Sequence, residues 1–192
     1  MTRSKTEHRK MKSASRLYAV QALFQMEASG QTVDSVMREF ETFRFGAVYE
    51  GDEMQEGDVQ TFRRLMEGAV NEQAKIDQMT DRALVAKWPI ARIDPTLRAL
   101  FRAAGAELIA KDTPPKVVIT EFVQVAEAFF DGGKEPKFVN AVLDHMGLLV
   151  ELERGHDDLR VGELGERLGQ RSRKLVAGQL ARPQLDLEHR RR

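Results

Sequence analysis

The sequence predicts an all-α protein. Three observations carry that expectation: apolar residues recur at three- and four-residue steps, short β-branched alternations are absent, and three prolines stand where helices begin. Over residues 16–28, Leu17, Val20 and Phe24 fall on one helical face with Leu23 beside them, and Ser29-Gly30 closes that helix with glycine just past its end. A shorter helix starts at Thr32 or Asp34 and carries Val36, Met37 and Phe40. Residues 50–58, EGDEMQEGD, hold five acids, two glycines and no base, the composition of a loop.

A long helical stretch follows over 59–86. Its first apolar stripe is Phe62, Leu65, Met66 and Ala69 and its second Ile76, Met79, Ala83 and Leu84, with a break expected near Asn71. Asp94-Pro95 is a cap residue followed by proline at the first helical position, and Thr113-Pro114-Pro115 and Glu135-Pro136 read the same way. The helix after Pro95 buries Leu97, Leu100, Phe101, Ala104 and Leu108; the one after Pro115 buries Val118, Phe122, Val125 and Phe129 and ends at Asp131-Gly132-Gly133. The last carries Phe138 or Val139, Val142, Leu143, Met146 and Leu149. Loops this short make neighbouring helices antiparallel. From Glu151 the chain has no aromatic residue and mixes ten bases with eight acids. The expected organisation is a basic arm at 1–15, a helical domain at 16–150 and a weakly ordered charged tail at 151–192.

Apolar residues make up 42% of the 192 and charged residues 31%, as in folded soluble proteins. The longest apolar runs, such as Val117-Val118-Ile119, fall far short of the roughly 20 residues of a membrane span, so the cytoplasm is the expected location. With no cysteine, disulfides, thiolate metal sites and cysteine nucleophiles are excluded. His8, His145, His156 and His189 never take a metal-ligand spacing. Gly132-Gly133-Lys134-Glu135 lacks the earlier glycine and the hydroxyl of a P-loop, and Glu121 and Glu127 have no partner histidine. No catalytic residue, cofactor or metal is expected.

The formal net charge is zero, yet residues 1–16 hold six bases, Arg3, Lys5, Arg9, Lys10, Lys12 and Arg16, against Glu7 alone. A basic arm on a neutral body suggests a local anionic partner. If the first helix extends backward, Arg9, Lys12 and Arg16 share a stripe about 60° wide that can track phosphates, with Arg16 able to grip one bidentately. A solvated arm without a ligand is the rival reading. Were that partner a single-stranded nucleic acid, reading its bases would need stacking surfaces and amides. Phe138, flanked by Lys137 and Asn140 at a helix start, is the candidate platform, with Gln21 as a polar reader and Lys134 as a weaker contact. Phe138 as core and Asn140 as a buried amide are the competing readings. The arm and the start of the last helix are expected to form one cradle.

Four segments in order resemble the NusB family. They are Ala19-Val20-Gln21-Ala22-Leu23-Phe24-Gln25, Leu100-Phe101-Arg102 with Ala106-Glu107-Leu108, Pro115-Lys116-Val117-Val118-Ile119-Thr120-Glu121, and Lys137-Phe138-Val139-Asn140-Ala141-Val142-Leu143-Asp144. Thr120 and Ala141 replace the family's usual Asn and Gly, Ala106 its Tyr, and the tail beyond 150 is not covered. The resemblance implies seven helices in two subdomains. It also implies binding of boxA-type single-stranded RNA in ribosomal-RNA leader transcripts, together with NusE, a ribosomal small-subunit protein, in an antitermination complex with RNA polymerase. By carry-over, Phe24 and Glu107 become candidate partner-binding residues, although either can equally be core or plain helix surface, and Trp88 is expected to pack between subdomains. A helical adaptor without RNA binding is the alternative function. Whether the chain is a monomer or a homodimer stays open.

Overall fold

The computed structural model describes residues 4–84 and 89–154; Trp88 and the tail beyond Arg154 lie outside the described residues. Seven α-helices occur among them: α1 (Lys5–Ser29), α2 (Val33–Phe43), α3 (Val59–Asn71), α4 (Gln73–Ala83), α5 (Pro95–Ala110), α6 (Pro115–Phe129) and α7 (Glu135–Arg154). No helix among the described residues is long and apolar enough to cross a membrane.

Local chemistry sets most boundaries. Ser4 caps α1 by accepting from the Glu7 N–H at 3.2 Å, which carries the helix back through the basic segment. Gly30, at φ 70°, ends α1 in the left-handed region. Thr32 caps α2, Asp58 caps α3, and Asp94 caps α5 by accepting from Thr96 and Leu97 with Pro95 behind it. The break expected near Asn71 falls at Glu72, between α3 and α4. α6 departs from expectation, because Pro114 precedes it with no side-chain cap and the Thr113 hydroxyl donates to Glu107 instead. α7 starts at Glu135 itself, and the helix runs on to Arg154, past the expected tail boundary.

The acidic loop also holds structure that hydropathy patterning did not anticipate. Val48–Tyr49 (β1) pairs antiparallel with Asp52–Glu53 (β2), with Tyr49 opposite Asp52. The two-residue connection has both φ angles positive, Glu50 at 52° and Gly51 at 95°. That is the backbone of a primed hairpin turn, in which the glycine is needed. Strands of two residues are too short to leave an alternating pattern.

α5 is the hub. It packs against α1, α3, α4, α6 and α7, and α1 also meets α6. Ala103, Ala104, Gly105 and Ala106 let its neighbours approach closely. A Cβ added at Gly105 would stand 2.5 Å from Ile76 Cγ2 of α4 and 3.1 Å from Met146 Cε of α7. Gly105→Ala is therefore expected to destabilise the fold by about 1–3 kcal/mol through overpacking, read as a lower urea midpoint at unchanged m-value. α1 is rotated relative to its apolar stripe: Val20, Leu23, Tyr18, Ala19 and Ala22 are buried, Leu17 is half-buried, and Phe24 is 41% exposed. Small residues on the inner face win because they let α1 lie close to α3 and α5.

Candidate nucleic-acid interface

The first two turns of α1 project a basic end from the bundle. Lys5, Arg9 and Lys10 are exposed and have no carboxylate partner among the described residues. Lys12 is half-buried and differs from them. It lies close enough to Asp58 to act on its charge, and His8 Nδ1 stands 4.0 Å from the same carboxylate. Burial pushes the Asp58 carboxyl up, and hydrogen bonding from Thr61 pulls it down. With His8 and Lys12 adding to the pull, it stays below the usual aspartate range.

Arg16 is a correction. Expected to grip a phosphate, it is buried and already holds two carboxylates. Nε and Nη2 bind Glu107 Oε2 and Oε1 at 2.8 and 2.6 Å, and Nη1 reaches Glu121 Oε2 at 3.1 Å. Burial alone would lower its pKa, yet the two carboxylates raise it above the ordinary arginine value, so the group stays charged. The stripe of Arg9, Lys12 and Arg16 exists, but α1 enters the bundle at Met11, and by Arg16, about one and a half turns later, the same stripe faces protein rather than solvent. Glu107 is a correction for the same reason: it is 7% exposed, accepts from Arg16 and from Thr113 Oγ1 at 2.8 Å, and offers nothing to a partner. Ser13 Oγ donates to Glu121 Oε2 at 2.6 Å, so α1 is tied to α5 and α6 just behind the basic end.

Phe138 is the third correction. It is 5% exposed, and its ring meets that of Phe101 edge-on at 5.9 Å, so it cannot stack on a base. Lys137 and Asn140 beside it are exposed, as is Lys134. Asn140 is thus not a buried amide; its Nδ2 donates to Asp144 Oδ2 at 3.0 Å.

The expected single cradle does not form. α1 and α5 run antiparallel, Arg16 meeting Glu107 and Glu27 meeting Arg98. α6 runs parallel to α1, with Glu121 beside Ser13 and Phe129 beside Phe24. α7 starts where α6 ends, and Phe138 packs on Phe101, so Lys137 and Asn140 sit level with the second half of α1. At about 1.5 Å per residue, Arg9 lies about 20 Å further along that helix. The cations form two groups, one at each end of the α1–α6 pair.

Where the second half of α1 meets the end of α2, the start of α5 and the end of α6 lies a groove of about 490 Å³ lined by Gln21, Phe24, Phe40, Arg44, Thr96 and Phe129, among others. Gln21 therefore faces this groove rather than the basic end. Phe129, Arg44 and Thr96 escaped sequence reasoning, because Phe129 continues the core stripe of α6 and the other two carry no pattern. Beyond the groove Arg98 joins Glu27 to the carbonyls of Ile90 and Ile93, and Arg102 joins Glu27 to Asp77. This network braces the turn before α5. Among the described residues no group of three or more His, Asp or Glu side chains could hold a metal ion.

An all-helical protein with a basic helix end and a separate apolar groove belongs to the class of binding proteins. The chain belongs to the NusB family, whose model matches residues 13–147. It is 45% identical over 143 residues to the transcription antitermination protein NusB of Brucella abortus (strain S19), covering 74% of this chain and 83% of that protein. It is 47% identical over 143 residues to that of Maricaulis maris (strain MCS10), covering 73% and 89%. Curated relatives of this kind are antitermination factors, not enzymes. Among solved structures, T. maritima NusB superposes with a TM-score of 0.57 at 26% identity, covering 71% of this chain and 89% of that one. A structure described as antitermination factors NusB and NusE in complex with dsRNA shares the fold, with a TM-score of 0.55 at 21% identity over 75% of this chain and 98% of that one.

Proposed function

We propose that this chain is a cytoplasmic transcription antitermination factor that binds boxA-type single-stranded RNA of ribosomal-RNA leaders together with NusE, within a complex that includes RNA polymerase. The observation that carries this reading is the set of cations Lys5, Arg9 and Lys10, exposed and without a carboxylate partner among the described residues, on a helix tied down immediately behind them by the Ser13–Glu121 and Arg16–Glu107 contacts. Charges on a rigid helix lose little freedom when they meet phosphates. Lys137 and Asn140, exposed at the other end of the α1–α6 pair, are a second contact point for a strand long enough to reach both groups. The Phe24 groove is the place for NusE, since an exposed phenylalanine in an apolar cleft is a typical anchor for a protein partner.

Four phosphate contacts, from Lys5, Arg9, Lys10 and Lys137, give a salt slope of about −3, or about a fifty-fold loss of affinity between 50 and 200 mM salt. The test is fluorescence anisotropy with a boxA-type oligonucleotide, with and without NusE, at several salt concentrations. The Arg9→Ala, Lys10→Ala double variant is expected to flatten the slope by about 1.4. Phe24→Ser is expected to weaken NusE binding while leaving RNA binding by the free chain unchanged. If NusE binds but no RNA is retained under any condition, the chain is a helical adaptor and the RNA reading is wrong.

A further inference from the structure

Seven large apolar side chains are exposed among the described residues, and five of them, Phe43, Val48, Tyr49, Met54 and Val59, fall between the end of α2 and the start of α3. Phe43, Val48 and Tyr49 are each more than 65% exposed. Interleaved with them are the exposed acids Glu50, Asp52, Glu53 and Glu56, and residues 45–58 contain no base. Exposed apolar side chains concentrated in one short segment point to a contact site there rather than to scattered exposure.

The segment is not exposed because it is loose. Phe45 stacks on Tyr18 at 4.8 Å and meets Phe62 edge-on at 5.2 Å. A Cβ at Gly57 would come within 2.5 Å of the Phe45 ring. The Tyr18 hydroxyl donates to the Gln55 carbonyl at 2.7 Å, the Met54 N–H to the Ala47 carbonyl at 2.8 Å, and the Ser15 hydroxyl to the Asp58 carbonyl at 2.9 Å. The hairpin is a fixed platform, apolar and negative. That sign repels phosphates, so RNA is not its ligand; a segment with bases and aliphatic side chains is.

Such a segment is present in this chain. Residues 171–192, outside the described residues, hold seven bases against the acids Asp186 and Glu188, together with Leu175, Val176, Leu180, Leu185 and Leu187. The connection from Arg154 to Arg171 can span about 55 Å, more than the width of a domain this size. We propose that residues 171–192 dock on the hairpin platform of the same molecule, their leucines covering the face that carries Tyr49 and their arginines facing Asp52, opposite Tyr49, and Glu50 in the turn. The inference does not depend on the RNA reading.

The chain has no cysteine, so introduced pairs report without background. In the full chain, Tyr49→Cys is combined in turn with Leu175→Cys, Leu180→Cys and Leu185→Cys, and intrachain disulfide formation under mild oxidation is followed by mass spectrometry. At least one pair is expected to close ten-fold faster than the same tail cysteine paired with Gln124→Cys, an exposed position on α6. The Glu50→Gln, Asp52→Asn, Glu53→Gln variant, or high salt, is expected to remove that preference while the circular dichroism spectrum is retained. Equal rates at positions 49 and 124 overturn the proposal. So does a disulfide that forms only between chains, which assigns the platform to a second copy.

Discussion

Arg16→Ala is expected to lower the folding free energy by about 3–5 kcal/mol, the usual cost of stripping one partner from a buried ion pair. The size follows from what is left behind. Arg16 and Glu107 side chains are only 6% and 8% exposed and that of Glu121 15%, so the change leaves two carboxylates with little water to replace the guanidinium. Arg16→Lys is expected to restore only part of the loss, because an ammonium cannot supply the planar fork that reaches both oxygens of Glu107 and one of Glu121. The double variant Arg16→Met, Glu107→Met removes a charge of each sign and is expected to be more stable than Arg16→Ala. Urea denaturation of the four proteins measures this directly. RNA affinity, taken where Arg16→Ala is still fully folded, should match the wild type; a salt slope reduced by about 0.7 would show that Arg16 touches a phosphate after all.

A loss of similar size, about 3–5 kcal/mol, is expected for Phe138→Ala, which opens a cavity beside Phe101 in the core. Phe138→Leu keeps most of the volume and is expected to cost much less. The pair separates two roles for this ring. Were Phe138 a stacking platform, the leucine variant would lose about 1–3 kcal/mol of RNA binding while remaining folded. With the ring packed edge-on against Phe101, unchanged RNA affinity for Phe138→Leu is the expected result, and denaturation midpoints alone report the substitution.

The neighbours Lys137 and Asn140 show how close local reasoning came to this site. Both are exposed and Phe138 between them is buried, an outcome decided by one turn of helix phase. The start of α7 was readable from Pro136, but which of its first residues faces α5 depends on how α7 is rolled against that helix. The hairpin escaped for a different reason. Two-residue strands have no period to detect, and a Glu-Gly turn is a weaker signal than Asn-Gly.

From the residues alone came the all-α class, helix starts at Pro95, Pro115 and Pro136, a break near Asn71, the basic end and the family. Each of these rests on neighbours in sequence: caps, prolines, glycine ends, three- and four-residue spacing, and short motifs in order. The fates of Arg16, Glu107 and Phe138 were decided only in three dimensions. A charged or aromatic residue at a given helical position has the same propensity whether its face meets water or another helix. Arg16 found Glu107 ninety-one residues away, and that long-range pairing converted a phosphate ligand in prospect into a brace for the helix that carries the remaining cations.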